Sequence, residues 1–356
     1  MKRSLLAFAA LSALAGVASA QSSVTLFGVV DLNGRWLNNN GVQQYSLSQD
    51  GLAPSRIGFR GTEDMGGGLY AGFWLEGAIN PDTGTSPIIR ANGQPAAGTW
   101  TRRSTVSVSN QFGELRLGRD NTATYNNTGD FDPFGDTGLG AAGNLTVRPP
   151  AVPFGGAYDT LVRANNMVGY FLPSGVAGGL YGQLQVAAGE NVYGNKFFGG
   201  RIGYAKGPFN VAVAYGQTQV SADTNGENFN LAGSWNFGFM TLAGFYGQIK
   251  VDGDKQDNWF VGGTVPLGLW KLRASFGQVD RSGTSPDHVD GQKANQLAVG
   301  AEYDLSLRTA LYGTWSGINN KGGANFVVGS FNNVPGGGAE PNANSQGFEL
   351  GIKHSF

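Results

Sequence analysis

Val24-Thr25-Leu26-Phe27-Gly28-Val29-Val30-Asp31-Leu32-Asn33-Gly34-Arg35-Trp36 is the stretch whose reading decides the fold. Its even positions read Val, Leu, Gly, Val, Leu, Gly, Trp, while Asp31, Asn33 and Arg35 hold odd ones. Successive side chains of an extended chain point to opposite sides, so a period of two makes one apolar and one polar face. The same pattern returns in 229–237, 240–249, 259–267, 272–279, 297–305, 309–318 and 346–356. Each such strand separates two different surroundings.

A water-soluble β-sandwich also alternates, so the connections have to discriminate. Short turns at 63–68, 110–113, 206–208, 236–238 and 266–268 take turns with longer polar stretches at about 38–52, 80–99, 120–162, 189–195, 219–226, 250–256, 281–292 and 319–345. Short turns at one end and long loops at the other are how transmembrane barrels are built. Counting between connections gives sixteen strands, with both chain ends on the short-turn side. The expected fold is all-β: a 16-stranded antiparallel transmembrane β-barrel with long extracellular loops, short periplasmic turns and a water-filled lumen. Tyr70, Tyr204, Phe209, Trp235, Phe237, Phe239, Trp270 and Tyr303 fall near strand ends, as aromatic girdles at the membrane boundaries require.

Residues 1–20 are set apart by Lys2 and Arg3, the apolar run Leu5 to Val17, and Ala18-Ser19-Ala20. This is the layout of a cleaved secretory signal, and the apolar run is too short to span a bilayer as a helix. The expected division is therefore 1–20 signal peptide and 21–356 one barrel domain, since no linker or composition shift divides the remainder. Losing Lys2 and Arg3 takes the 24 Lys+Arg to 22 against 25 Asp+Glu, a formal charge of −3, which offers nucleic acid no basic field. With no cysteine, neither disulfides nor thiolate metal sites hold the fold. Glycine supplies 59 residues, mostly inside the alternating stretches, where it permits the bends that closure demands.

Further motifs join these patterns: Val24 to Asp31, Ser55-Arg56-Ile57-Gly58-Phe59-Arg60-Gly61-Thr62-Glu63-Asp64 followed by Gly66-Gly67-Gly68-Leu69, Leu117-Gly118-Arg119, and the terminal Gly351-Ile352-Lys353-His354-Ser355-Phe356. Together they resemble the general porins of beta-proteobacteria, including the neisserial type, over the whole mature chain. The resemblance implies a homotrimer in the outer membrane of a Gram-negative bacterium, with the third extracellular loop folded into the lumen. It implies passive diffusion of small hydrophilic solutes and ions, contact with outer-membrane lipid and lipopolysaccharide, and Phe356 as a signal read by the outer-membrane assembly machinery. A solute-specific porin and a surface adhesin or structural barrel are the competing readings.

A pore selects at its narrowest ring, where facing charges are least screened. Residues 120–162 are too many for a hairpin and carry Asp120, Asp130, Asp132 and Asp136, expected as the acidic side of a constriction. The segment Gly129-Asp130-Phe131-Asp132-Pro133-Phe134-Gly135 resembles the one that family members fold inward. For the opposite wall, Ile57 and Phe59 face lipid by parity, which turns Arg56 and Arg60 inward. Parity with Val106 and Val108 selects Arg103, whereas the family's strand selects Arg102, so a bulge is possible and both are carried. Arg163 faces inward because Val168 and Tyr170 share the other face, and Arg119 stands at the mouth of the loop. Solvated turns for the aspartates and loop tethers or lipopolysaccharide contacts for the arginines are the alternatives. The arginines favour anions, the loop aspartates cations; a rigid wall holds charge better than a loop, which tips the reading to anions.

Enzymatic readings lack parts. Only His288 and His354 are present, with no H-E-x-x-H, G-x-S-x-G or phosphate-binding loop, and no cofactor is expected. Asp252-Gly253-Asp254 reads as a solvated turn before a calcium site.

Overall fold

The computed structural model describes residues 23–91, 94–146, 159–284, 290–329 and 340–356; residues 1–20 and His288 lie outside these. Sixteen antiparallel strands form one closed barrel. They are β1 (Ser23–Asn39), β2 in two segments (Val42–Gln49 and Arg56–Asp64), β3 (Tyr70–Ala78), β4 (Arg103–Asn110), β5 (Gly113–Asn121), β6 (Arg163–Ala177), β7 (Leu180–Ala187) and β8 (Phe197–Lys206). They continue with β9 (Phe209–Gln219), β10 (Asn225–Asn236), β11 (Thr241–Val251), β12 (Asp254–Leu267), β13 (Trp270–Ser282), β14 (Lys293–Asp304), β15 (Thr309–Lys321) and β16 (Ser345–Ser355). Each strand pairs with its chain neighbours, and β1 closes on β16 in register from Val29↔Ser355 to Asn39↔Ser345.

Closure follows from the surroundings. An unpaired backbone N–H or C=O in hydrocarbon costs several kcal/mol, and a closed sheet leaves no edge. The outer face is apolar and exposed, with Ile57, Phe59, Val106, Val108, Leu115, Leu117 and Val168 among its residues, whereas Asp31, Asn33 and Arg35 are buried within. Among the described residues no helix is long and apolar enough to cross a membrane.

Two stretches expected as long connections are mostly strand. Asn40 and Gly41 alone join β1 to β2, at φ of 53° and 87°, and Asp252 and Gly253 alone join β11 to β12, at 48° and 83°. Both residues of such a turn need positive φ, which matches the strand twist and favours Asn-Gly and Asp-Gly. The Asp252 segment is thus a two-residue hairpin turn. The rest of 38–52 is the first segment of β2, followed by an inward bend over 50–55. There Asp31 Oδ2 accepts the N–H groups of Leu52 and Ala53 at 2.8 Å each, and Asp50 Oδ1 accepts that of Ser55 at 2.6 Å.

The connection after β5 turns into the lumen. Helix α1 (Ala123–Phe131) lies against β7–β11, and α2 (Gly143–Thr146) against β12–β14. Asn127 Nδ2 donates to Asn230 Oδ1 at 2.8 Å, and Phe131 packs among Ala212, Ala232, Phe245 and Phe260. Further along, Leu139 and Leu145 join Leu37, Val279, Ala294, Ile318 and Phe326 in the largest apolar cluster. The loop helices α1 and α2 thus line the inner wall along β7–β14.

Candidate pore constriction

The wall of β2–β6 carries the arginines. Glu76 faces inward on β3 because Phe73 faces lipid, and it collects cations from both sides. Arg102 Nε donates to Glu76 Oε1 at 2.5 Å, and Arg56 Nε lies 3.7 Å from the same oxygen. Arg56 Nη1 also donates to Pro54 O at 2.9 Å, so the inward bend between the two segments of β2 fixes its reach. Arg119 donates from Nε to Thr101 O at 2.8 Å and from Nη1 to Asn165 Oδ1 at 2.5 Å. A register shift between Gly118 and Asp120 breaks strand parity there and aims its side chain. Arg163 opens β6 within electrostatic range of Arg102, Arg119 and Glu76. Its Nε is buried without a hydrogen-bond partner among the described residues.

Arg102 and Arg103 both point inward but belong to different sets. Arg102 lies in the bend just before β4, with its backbone N–H on Glu76 O at 3.0 Å. Arg103 turns away, lying 3.6 Å from Asp120 and 3.8 Å from Glu114. Arg116 pairs with the same two carboxylates at 2.9 and 2.7 Å, so these two arginines and two acids balance. The first set does not balance among the described residues: Arg56, Arg102 and Arg163 lie around Glu76, with Arg119 beside Arg163 and Asp50 near Arg56. Arg60 joins neither set. It sits four residues along β2, roughly 13 Å nearer the short-turn end, with its guanidinium 5.4 Å from the Phe27 ring and 5.1 Å from that of Trp74.

The four loop aspartates are not brought together either. Asp120 ends β5 beside Arg116 on the arginine wall. Asp130, at the end of α1, accepts from Arg201 Nη1 of β8 at 2.6 Å. Asp132 and Asp136 are only 6% and 5% exposed, and their carboxylates turn into the loop. Asp132 accepts the N–H groups of Phe134, Asp136 and Ala142 at 3.0, 2.9 and 2.8 Å, and Asp136 that of Gly143 at 2.8 Å. Short Asp side chains beside a proline and glycines are good acceptors for local backbone N–H groups, which is why this segment keeps its shape.

Several inward residues escape a reading aimed at arginines and loop acids. Parity on Phe73-Trp74-Leu75-Glu76 puts Glu76 inward, and that signal is in the sequence. The buried pair Arg35–Glu349, 2.7 Å apart, joins strands 314 residues apart and left no local sign. At the chain end, Phe356 and Gly28 exchange backbone hydrogen bonds of 3.1 Å across the closing seam. His354 faces outward near Thr309, and among the described residues no group of three His, Cys, Asp or Glu could hold a metal.

A closed sheet with an apolar outside, a polar inside, a charged inner wall and an inward loop defines a transmembrane channel. The chain belongs to the Gram-negative porin family, whose model matches residues 7–323. It is 35% identical over 372 residues to outer membrane porin protein 32 of Delftia acidovorans, covering 100% of both chains. It is 29% identical to an outer membrane porin protein of Bordetella pertussis, covering 90% of this chain and 95% of that one. Among solved structures, the anion-selective porin from Comamonas acidovorans superposes with a TM-score of 0.82 at 33% identity, covering 94% of this chain and 100% of that one. The protein is an outer-membrane channel for passive diffusion of solutes and ions.

Proposed function

We propose that this channel prefers anions and that Arg56, Arg102, Arg119 and Arg163 form the charged wall of its constriction. The carrying observation is an imbalance among the described residues: the guanidinium groups of Arg56, Arg102 and Arg163 share Glu76, with Asp50 beside Arg56 and Arg119 beside Arg163. Unit charges 4 Å apart interact by roughly 4 kcal/mol at an effective dielectric of 20 and by about 1 kcal/mol in bulk water. A narrow wall with surplus positive charge therefore discriminates far more strongly than the same charges in the open mouth. Arginine keeps its charge at any working pH. Arg103, with Arg116, Glu114 and Asp120, contributes a locally neutral patch, and Arg60 a separate cation toward the short-turn end. Asp130 is ion-paired with Arg201, and Asp132 and Asp136 serve the shape of the loop. The solved relative described as anion-selective supports the same preference.

In the same reading the long connections face outside, residues 1–20 direct export, Phe356 is the assembly signal, and the protein works as a homotrimer without a catalytic role. OmpT of Vibrio cholerae, recorded in a trimer form, shares the fold at 15% identity and a TM-score of 0.65. The test is a planar bilayer with a salt gradient. Steps in threes with a reversal potential on the anion side are expected of the refolded mature chain. Replacing Arg56 and Arg163 together by serine is expected to move that potential toward cations. An unchanged potential would remove both residues from the constriction.

A further inference from the structure

Glu76 and Arg103 stand directly opposite each other in the β3–β4 ladder. Residues so placed have Cβ atoms roughly 4.5–5.5 Å apart, and opposite charges there ordinarily pair. These two do not. Glu76 takes Arg102 and Arg56 instead, and Arg103 bends toward the short-turn end, where its Nε donates to Thr105 Oγ1 at 3.0 Å. Glu114 and Asp120 do not account for that bend by themselves. They lie 3.8 and 3.6 Å from Arg103, beyond hydrogen-bond range, and already accept from Arg116 at 2.7 and 2.9 Å.

Trp74 touches both partners of the missing pair. It precedes Glu76 by two residues on the same face of β3 and stands opposite Thr105. Its Nε1 donates to Glu76 Oε2 at 3.0 Å, leaving Oε1 to Arg102 and Arg56, and its ring centre lies 4.5 Å from the Arg103 guanidinium. A cation near an indole is attracted by the negative face of the ring, which gives Arg103 a resting place other than Glu76. The ring is itself held. Phe27 meets it edge-on with centroids 5.1 Å apart, and the Arg60 guanidinium lies 5.1 Å from its centre. We propose that Trp74 is the positioning residue that sorts the charges of this wall: its N–H keeps Glu76 with the constriction arginines, and its ring keeps Arg103 from Glu76. Without it the cross-strand pair Glu76–Arg103 forms, and the negative charge of Glu76 leaves Arg102 and Arg56. The inference rests on the reading of Arg56 and Arg102 as part of the charged wall.

The test is a double-mutant cycle, read as the anion-to-cation permeability ratio of refolded mature channels in a planar bilayer. Trp74→Leu removes both the ring and the N–H. It is expected to raise the ratio about twofold, the effect of moving one unit charge a few ångströms in a water-like dielectric. In a channel that already carries Arg103→Gln, Glu76 has no competing partner, and the rise caused by Trp74→Leu is expected to vanish. A rise of equal size in both backgrounds would overturn the proposal, because a purely structural role of the indole does not depend on Arg103. An unchanged or lowered ratio with Arg103 in place would overturn it as well. Trp74→Phe keeps a ring and loses only the N–H, so a smaller rise that again needs Arg103 is expected. That variant decides the matter if the leucine one does not refold, and an unchanged ratio there counts against the proposal. Channels that respond to Arg56→Ser/Arg163→Ser but not to substitution of Trp74 would strike this inference alone; indifference to both would strike the constriction reading beneath it.

Discussion

At the scale of single residues, the informative one is Glu76. It accepts the hydrogen bond that holds Arg102 in place and ion-pairs with Arg56, yet its charge also cancels part of theirs. Replacing it by Gln keeps an oxygen acceptor and removes the negative charge, so Glu76→Gln is expected to increase the anion-to-cation permeability ratio, opposite to the effect of losing Arg56 and Arg163. The reversal potential under a chloride gradient reads this directly, and a shift toward cations would mean that Glu76 acts mainly by holding the arginines in place. This residue was legible: Phe73 and Leu75 alternate with Trp74 and Glu76. The arginines were legible for the same reason. What parity could not assign was Arg102 against Arg103, because Arg102 precedes the strand and follows the geometry of a bend. Arg119 escaped it through the register shift at Gly118.

At the scale of elements, strands were plain and two turns were not. Three asparagines and a glycine at 38–41 read as a loop, although Asn40-Gly41 is a strong hairpin signal once the alternation on both sides is followed. The inward loop is the element whose shape sequence alone left open, because its anchors come from distant strands. Leu139 N–H donates to Glu349 Oε1 at 3.1 Å, Gln296 Nε2 donates to Gly140 O and Ala141 O at 3.1 Å each, and Gln256 Nε2 to Leu145 O at 3.2 Å. Gly138, at φ 71°, passes so near Gly51 that a Cβ would stand 2.1 Å from its carbonyl oxygen. The loop is therefore bolted to the wall at its far end as well as along α1. Glu349→Ala removes one bolt and leaves Arg35 buried without its carboxylate, a change that costs about 3–5 kcal/mol. The expected result is a lower urea midpoint together with larger open-channel current fluctuations. A quiet channel with an unchanged midpoint would show that the remaining anchors suffice and that the ion pair contributes little.

At the scale of the whole molecule, net charge and selectivity part company. The chain carries a formal charge of −1, so its overall field does not gather anions. The proposed anion preference therefore rests on a few cations on one wall, with the inward loop in front of them. Such a local mechanism has its own salt signature. The screening length is about 10 Å at 0.1 M salt and about 3 Å at 1 M. A charged ring seen across several ångströms of water is then progressively hidden from passing ions, while pore size stays the same. The anion-to-cation permeability ratio is accordingly expected to fall steadily between 0.1 and 1 M potassium chloride, with conductance rising alongside the bulk solution. Reversal potentials at a fixed concentration ratio and rising absolute salt measure it. A ratio independent of salt would point instead to anions bound in contact with Arg163 and its neighbours, where no screening water intervenes, and selectivity would then rest on a binding site within the lumen.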